Sequence, residues 1–187
     1  MSHYVSRNLT KLPAYMFADV KVPATMTNGL IPGNVVVAES LDSTIYGNKQ
    51  TYIPTVPATV ATEEIAIVLN GTFEQMSDGR RPDGNPDYTT YIFQPGEIAT
   101  TVRIMKNQKF ELSIDACDAT VAAAATAGTL VAGDNLIPKA NQTALTYSAE
   151  GTAINTKNYL TVEALNFFRL GGQNGAQFAP TMIVRAH

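Results

Sequence analysis

Apolar and polar positions alternate most cleanly between Glu97 and Asp115. Val102 and Ile104 alternate with Thr101, Arg103 and Met105; beyond Lys106-Asn107-Gln108, Phe110, Leu112 and Ile114 alternate with Lys109, Glu111 and Ser113. A period of two sends one row of side chains into a core and the other toward water. The stretch therefore predicts a β-hairpin closed by the polar turn. Shorter segments predict strands at Ala14–Val22, Asn34–Glu39, Glu63–Asn70, Tyr91–Phe93, Thr129–Val131, Asn135–Pro138, Ala144–Tyr147 and Thr181–Arg185. In Glu63–Asn70, Ile65, Ile67 and Leu69 share a face. Tyr159–Leu170 carries both helical and strand spacings, and its Thr and aromatic content favours strand.

One segment breaks the β pattern. Ala116–Ala127 is alanine-rich, with Asp115 or Asp118 as the N-cap and Gly128 as the stop of a short helix. Punctuation divides the chain further. Five of the ten prolines (Pro13, Pro23, Pro32, Pro54 and Pro57) fall in residues 1–60. Proline removes a ladder donor and restricts the residue before it. This region is expected to be an extended N-terminal segment with short strands, laid over a body or reaching to a neighbour, with Ser40–Thr62 largely irregular. Surface loops on a compact β-domain are the other reading. Residues 61–187 form the β-rich body, interrupted by a long polar insert at 75–90, and Gly171–Gly175 is a flexible connection. The expected fold is mainly β: a compact β-barrel or sandwich body, the extended proline-containing segment, and little helix.

Composition narrows the function classes. The charged share is 16%, against about 25% in an average globular chain. A low charge with much Thr and Ala suits a β-protein whose surface is partly covered by other subunits, and equally a neutral β-domain. Net charge is −3, and the one adjacent basic pair, Arg80-Arg81, is flanked by Asp78 and Asp83. No basic stripe is present to neutralise phosphates, so nucleic acid is not an expected partner. No apolar run is long enough for a membrane span. The N-terminus lacks the apolar block of a signal peptide, which points to synthesis in a cytoplasm. The sequons at Asn8, Asn70 and Asn141 are then fortuitous, and a single cysteine, Cys117, has no internal disulfide partner.

Candidate chemistry is sparse. Asp83, Asn85 and Asp87 match the first ligands of an EF-hand loop, but Tyr88 stands where Gly is required and Gln94 where a bidentate Glu is required. His3 and His187, at the chain ends, read as solvated tail residues. They leave no body histidine for a Ser-His-Asp or Cys-His arrangement and too few soft ligands for zinc. The carboxylate pairs Glu63/Glu64, Asp115/Asp118 and Asp83/Asp87 are the remaining enzymatic option, as a glycoside hydrolase. The chain has no tryptophan and no readable aromatic cleft to go with them. No catalytic residue, metal or cofactor is expected; the residues suit binding to other protein.

The order Lys109-Phe110-Glu111-Leu112-Ser113, an alanine-rich patch, Ala132-Gly133-Asp134, Asn135–Pro138, Asn141-Gln142 and Met182–Ala186 resembles that of the small β-barrel capsid decoration (cement) proteins of tailed bacteriophages. Gly29–Val37 also looks like their early entry into a strand. The resemblance covers about half the chain as short matches. It implies a non-enzymatic protein on the capsid exterior, made in the host cytoplasm. Such a protein binds the major capsid protein and associates as a trimer or dimer. Partner contacts are then expected at Tyr15 and Phe17 in the N-terminal segment and at Arg80, Arg81 and Tyr88 in the insert. Deleting residues 1–20 is expected to abolish capsid binding and leave the body folded. The alternative is a virion surface or fibre-base β-domain that binds a host receptor, with the insert and Tyr91 at the contact.

Overall fold

The computed structural model describes residues 4–11, 13, 16–41, 51–70, 91–170 and 177–187. The protein is mainly β, as the alternation predicts. It is built from a closed five-stranded barrel and a six-stranded sheet. The barrel uses β2 (Phe17–Lys21), β3 (Val35–Leu41), β4 (Thr51–Thr55), β5 (Ala66–Val68) and β6 (Ile98–Arg103), in the order β2-β4-β3-β5-β6. The sheet uses β1 (Ser6–Asn8), β7 (Lys109–Ser113), β8 (Asn135–Ile137), β9 (Thr146–Ser148), β10 (Leu160–Leu170) and β11 (Gln177–Ala186). Its order is β1-β7-β11-β10-β8-β9, antiparallel throughout.

The strands at 97–115 are real, but they do not form a hairpin. β6 lies in the barrel, paired with β2 and β5, and β7 lies in the sheet, paired with β1 and β11. Both edges of each strand are occupied, so neither has an edge left for the other. The turn between them is a bridge from one unit to the next. Asn107 takes φ +69°, a conformation that Asn tolerates well. Its N–H donates to the Ala186 carbonyl, and the Ala186 N–H donates to the Gln108 carbonyl, both at 2.8 Å. The linker is thereby stitched to the last strand.

The described residues of 1–60 are not set apart from the body. Three barrel strands, β2, β3 and β4, come from this segment, and they close against β5 and β6. The boundary expected near residue 60 therefore runs through the barrel. Deleting residues 1–20 would remove β1 and most of β2, and would open the barrel. Within Ser40–Thr62, expected to be largely irregular, β4 is a regular strand that contains Pro54, while residues 56–62 form no strand. Opposite this proline the register slips between Val37 and Ser40, and at such an irregularity a missing ladder donor is tolerated. The insert at 75–90 and the connection at 171–175 lie outside the described residues.

Two buried clusters share the barrel wall. Val20, Val36, Val68 and Ala99 turn inward with Leu30 and Phe93. Their neighbours Val35, Val37, Ile67 and Val102 turn outward, joining Phe110, Leu112, Leu136, Leu160, Met182 and Val184 of the sheet in one larger core. Ile65, Ile67 and Leu69 do share a face, and it is this one. The remaining wall of the core is α1 (Ala119–Thr126), which contributes Val121 and Ala124. Asp118 caps the helix by accepting from the Thr120 and Val121 amides at 2.9 and 3.3 Å, and Gly128 follows its end at φ +70°.

Candidate functional site

The titratable groups that the fold brings together are occupied by structural work. Glu111 is nearly buried, and it accepts from the Thr181 hydroxyl at 3.0 Å and the Asn166 amide at 3.4 Å, with Arg7 at 3.5 Å. It ties β1, β7, β11 and β10 together across the polar face of the sheet. Glu163, the extra residue at a bulge in β10, pairs with Lys109 at 2.7 Å and with Arg185. The Lys109 ammonium, then Arg185, hold its carboxyl below the ordinary range against a smaller opposing cost of desolvation. Loss of water and the charge of Asp134 push the Tyr147 phenol upward.

Asp118 is the most connected carboxylate near the helix. Partial burial opposes its charge, but hydrogen bonds from the Thr120 and Thr146 hydroxyls and the Thr120 and Val121 amides outweigh that and lower its pKa. Beside it, desolvation and the Asp118 charge push the Cys117 thiol up to about 12. That thiol is held as an un-ionised packing group rather than a nucleophile. Among the described residues, no three His, Cys, Asp or Glu side chains are placed to hold a metal. Asp115 lies within a 3-10 turn, Ile114–Ala116, and Asp118 follows it two residues on. His187 is not a loose tail residue: it is half-buried, and its ring stacks on Tyr159 with centroids 4.8 Å apart.

The exposed apolar surface is more informative. One face of the β10–β11 ribbon runs through four cross-strand rungs: Leu160 with Ala186, Val162 with Val184, Leu165 with Met182, and Phe167 with Pro180. The first two rungs are buried in the core. At the third, Met182 is still buried but Leu165 is 52% exposed; at the fourth, Phe167 is 68% exposed. The core-facing side of the sheet thus runs past the body that covers it. Between this overhang and α1 lies a groove of about 640 Å³, walled by Ala122 and Ala125 of the helix, Leu130 and Val131, and Leu165 and Phe167. Of the residues lining it, Asp115 alone is charged.

A second exposed row crosses the outside of the barrel, with an isoleucine at each end and Lys21 between them. Ile98, 51% exposed, pairs with Lys21 of β2. Ile53 of β4, also exposed, lies across the adjoining pair of strands, in register just past Val20 and Tyr52. Lys21 and Ile53 also border a recess of about 450 Å³ formed with Val22, Pro23 and Pro95.

Of the contact residues expected from sequence, Phe17 is half-buried, packed against the main core and paired in register with Val102. Tyr15, Arg80, Arg81 and Tyr88 lie outside the described residues. Tyr91 is held in place, donating to Glu97 Oε1 at 2.6 Å and meeting Phe93 edge-on. Sequence reasoning missed Phe167 and Ile98. Phe167 sits in a segment whose period changes at the bulge. Ile98 is an apolar residue on the outer face of a strand, and period alone does not say which face is covered.

No family model, curated protein or solved structure matches the chain. No helix among the described residues is long and apolar enough to cross a membrane.

Proposed function

We propose that this protein is a structural, protein-binding component of a bacteriophage particle, a decoration protein that grips the outside of the head and braces major capsid protein subunits. The observation that supports this reading best is the presence of two separate surfaces with exposed large apolar side chains, one on each β unit: the Ile98–Lys21–Ile53 row of the barrel and the overhanging ribbon face of the sheet. A bracing protein needs more than one contact face. Its affinity comes from area and fit distributed over broad patches rather than from a deep pocket. Both patches are built on paired strands, so a partner meets them without an ordering cost in the loops. The sequence resemblance to cement proteins of tailed phages supplies the identity of the partner.

The test is co-sedimentation with purified empty heads. The protein is expected to pellet with them, and Ile98→Asp, which puts a charge on an exposed position and leaves the core untouched, is expected to weaken pelleting at least tenfold. Protein that stays in the supernatant with heads but binds host cells would sink this reading and favour a receptor-binding domain.

A further inference from the structure

We propose that β1 is a placeholder on the edge of the sheet: an extended segment of the protein that this chain grips, with a basic residue at the register of Arg7, displaces β1 and pairs with β7. The proposal rests on the protein-binding reading above and adds the mode of the grip.

The sheet ends in β1 on one side and in β9 on the other. β9 is tied to the helix, its Tyr147 amide donating to Thr120 Oγ1 at 3.0 Å. β1 is fastened less regularly. Its register with β7 covers three residues, Ser6 to Asn8. At each end of that run a hydroxyl stands in for a backbone acceptor. The Val5 amide donates to Ser113 Oγ at 2.9 Å, and the Lys109 amide donates to Thr10 Oγ1 at 2.8 Å. On its outer side, the Asn70 side chain accepts from the Ser6 amide and donates to the Tyr4 carbonyl. A short strand held by a few such bonds opens locally while the rest of the sheet stays folded.

Burial and charge specify what replaces it. Ser6 is 1% exposed, opposite Leu112, and its hydroxyl makes no hydrogen bond. A buried unpaired hydroxyl weakens the strand that carries it, and alanine at that register would not. Arg7 lies opposite Glu111, 3.5 Å from a carboxylate that is nearly buried. A strand without a cation there would leave that anion uncompensated, so an acidic or neutral replacement is rejected. Main-chain hydrogen bonds to β7 then supply affinity, and the pair with Glu111 supplies selectivity. Until such a strand arrives, β1 covers an edge that would otherwise recruit any extended chain.

The probe is a fluorescein-labelled peptide with the sequence of Tyr4–Lys11 and the change Ser6→Ala, titrated with the full chain and read by fluorescence anisotropy. Asn70→Ala removes two bonds from β1 and should raise its open population about 30-fold. The peptide should therefore bind that variant about 30-fold tighter than wild type. Arg7→Glu in the peptide should weaken binding by about tenfold or more. The Leu9 amide donates to the Lys109 carbonyl at 2.9 Å, which puts this cross-strand pair within disulfide reach. Leu9→Cys with Lys109→Cys in the Asn70→Ala chain should abolish peptide binding when oxidised and restore it when reduced. A peptide that binds none of these chains overturns the proposal. So does one that binds wild type and Asn70→Ala equally, binds the oxidised lock, or tolerates Arg7→Glu. Head binding is read separately. Peptide exchange without pelleting fails the decoration reading alone, and pelleting that the oxidised lock leaves unchanged fails strand exchange alone.

Discussion

Replacing Asp118 with alanine tests how the single helix is anchored. Asp118 Oδ1 accepts the first free amides of α1, from Thr120 and Val121, while Oδ2 accepts the Thr146 hydroxyl of β9 at 2.8 Å. Loss of an aspartate cap costs about 1 kcal/mol. A hydrogen bond to a carboxylate is worth up to about 3 kcal/mol when buried, but Asp118 is half-exposed, so about 1 kcal/mol is appropriate for the Thr146 link. Asp118→Ala should therefore destabilise the protein by about 2 kcal/mol at neutral pH. Asp118→Asn, which keeps an acceptor oxygen and caps about as well as Asp, should cost about 0.5 kcal/mol. The folded carboxyl titrates below its unfolded value. Its contribution is thus complete above about pH 4, the unfolded pKa, and fades as pH falls through the folded pKa. Urea unfolding followed by circular dichroism, with an unchanged m-value, measures both effects. The gap between wild type and Asp118→Ala should narrow as pH falls from about 4 through the lowered folded pKa. An alanine variant within about 0.5 kcal/mol of wild type at neutral pH would refute the anchoring argument, since that is the ordinary range of a surface change. A gap that does not change with pH would refute its electrostatic half.

Gly33→Ala should lower the melting temperature by about 6–12 °C, because φ is +98° and the new Cβ would lie 2.6 Å from Ala116 Cβ, a cost of about 3 kcal/mol in a chain of this size. Gly96→Ala, at φ +95° with nothing within 4 Å, pays the backbone strain without the clash; equal shifts in the two variants would show that the Ala116 contact is unimportant. Asn70→Ala removes the side-chain bonds to the Ser6 amide and the Tyr4 carbonyl, at 2.6 and 2.9 Å, that hold β1 against the body. Amide exchange over residues 5–9 should accelerate about 30-fold, for two bonds of about 1 kcal/mol each. Unchanged exchange there would mean that the pairing of β1 with β7 suffices.

The faces of strands were legible in the sequence; their neighbours were not. Val102, Phe110 and Leu112 reach the core as their period requires, yet pairing depends on which edges other strands have already taken, and β6 and β7 lose theirs to β2, β5, β1 and β11. The helix was legible with its Gly128 stop and its cap narrowed to Asp115 or Asp118, because capping is local chemistry; the structure uses Asp118. β10 gave a mixed signal for a definite reason. The bulge at Glu163 inserts one residue, so the core-facing set passes from Leu160 and Val162 to Leu165 and Phe167, and a strict alternation breaks. β1 escaped notice because a three-residue edge strand held by Ser113, Asn70 and Lys109 carries too short a pattern to register.

The same face of the sheet both builds the core and leaves it. Leu160 and Val162 are buried against the barrel wall, and Leu165 and Phe167, farther along the same strand, are more than half exposed. Stability and contact are therefore graded along one strip. Truncation at Val162 or Met182 opens a cavity in the shared core, at a cost of a few kcal/mol. Truncation at Phe167 removes side-chain area that the monomer does not bury. The ribbon is held in place by pairing that continues into the core, so the exposed end is presented rigidly. A partner there gains apolar burial without having to order the strand that supplies it. That separation is what allows Phe167 to be changed to test binding without testing folding.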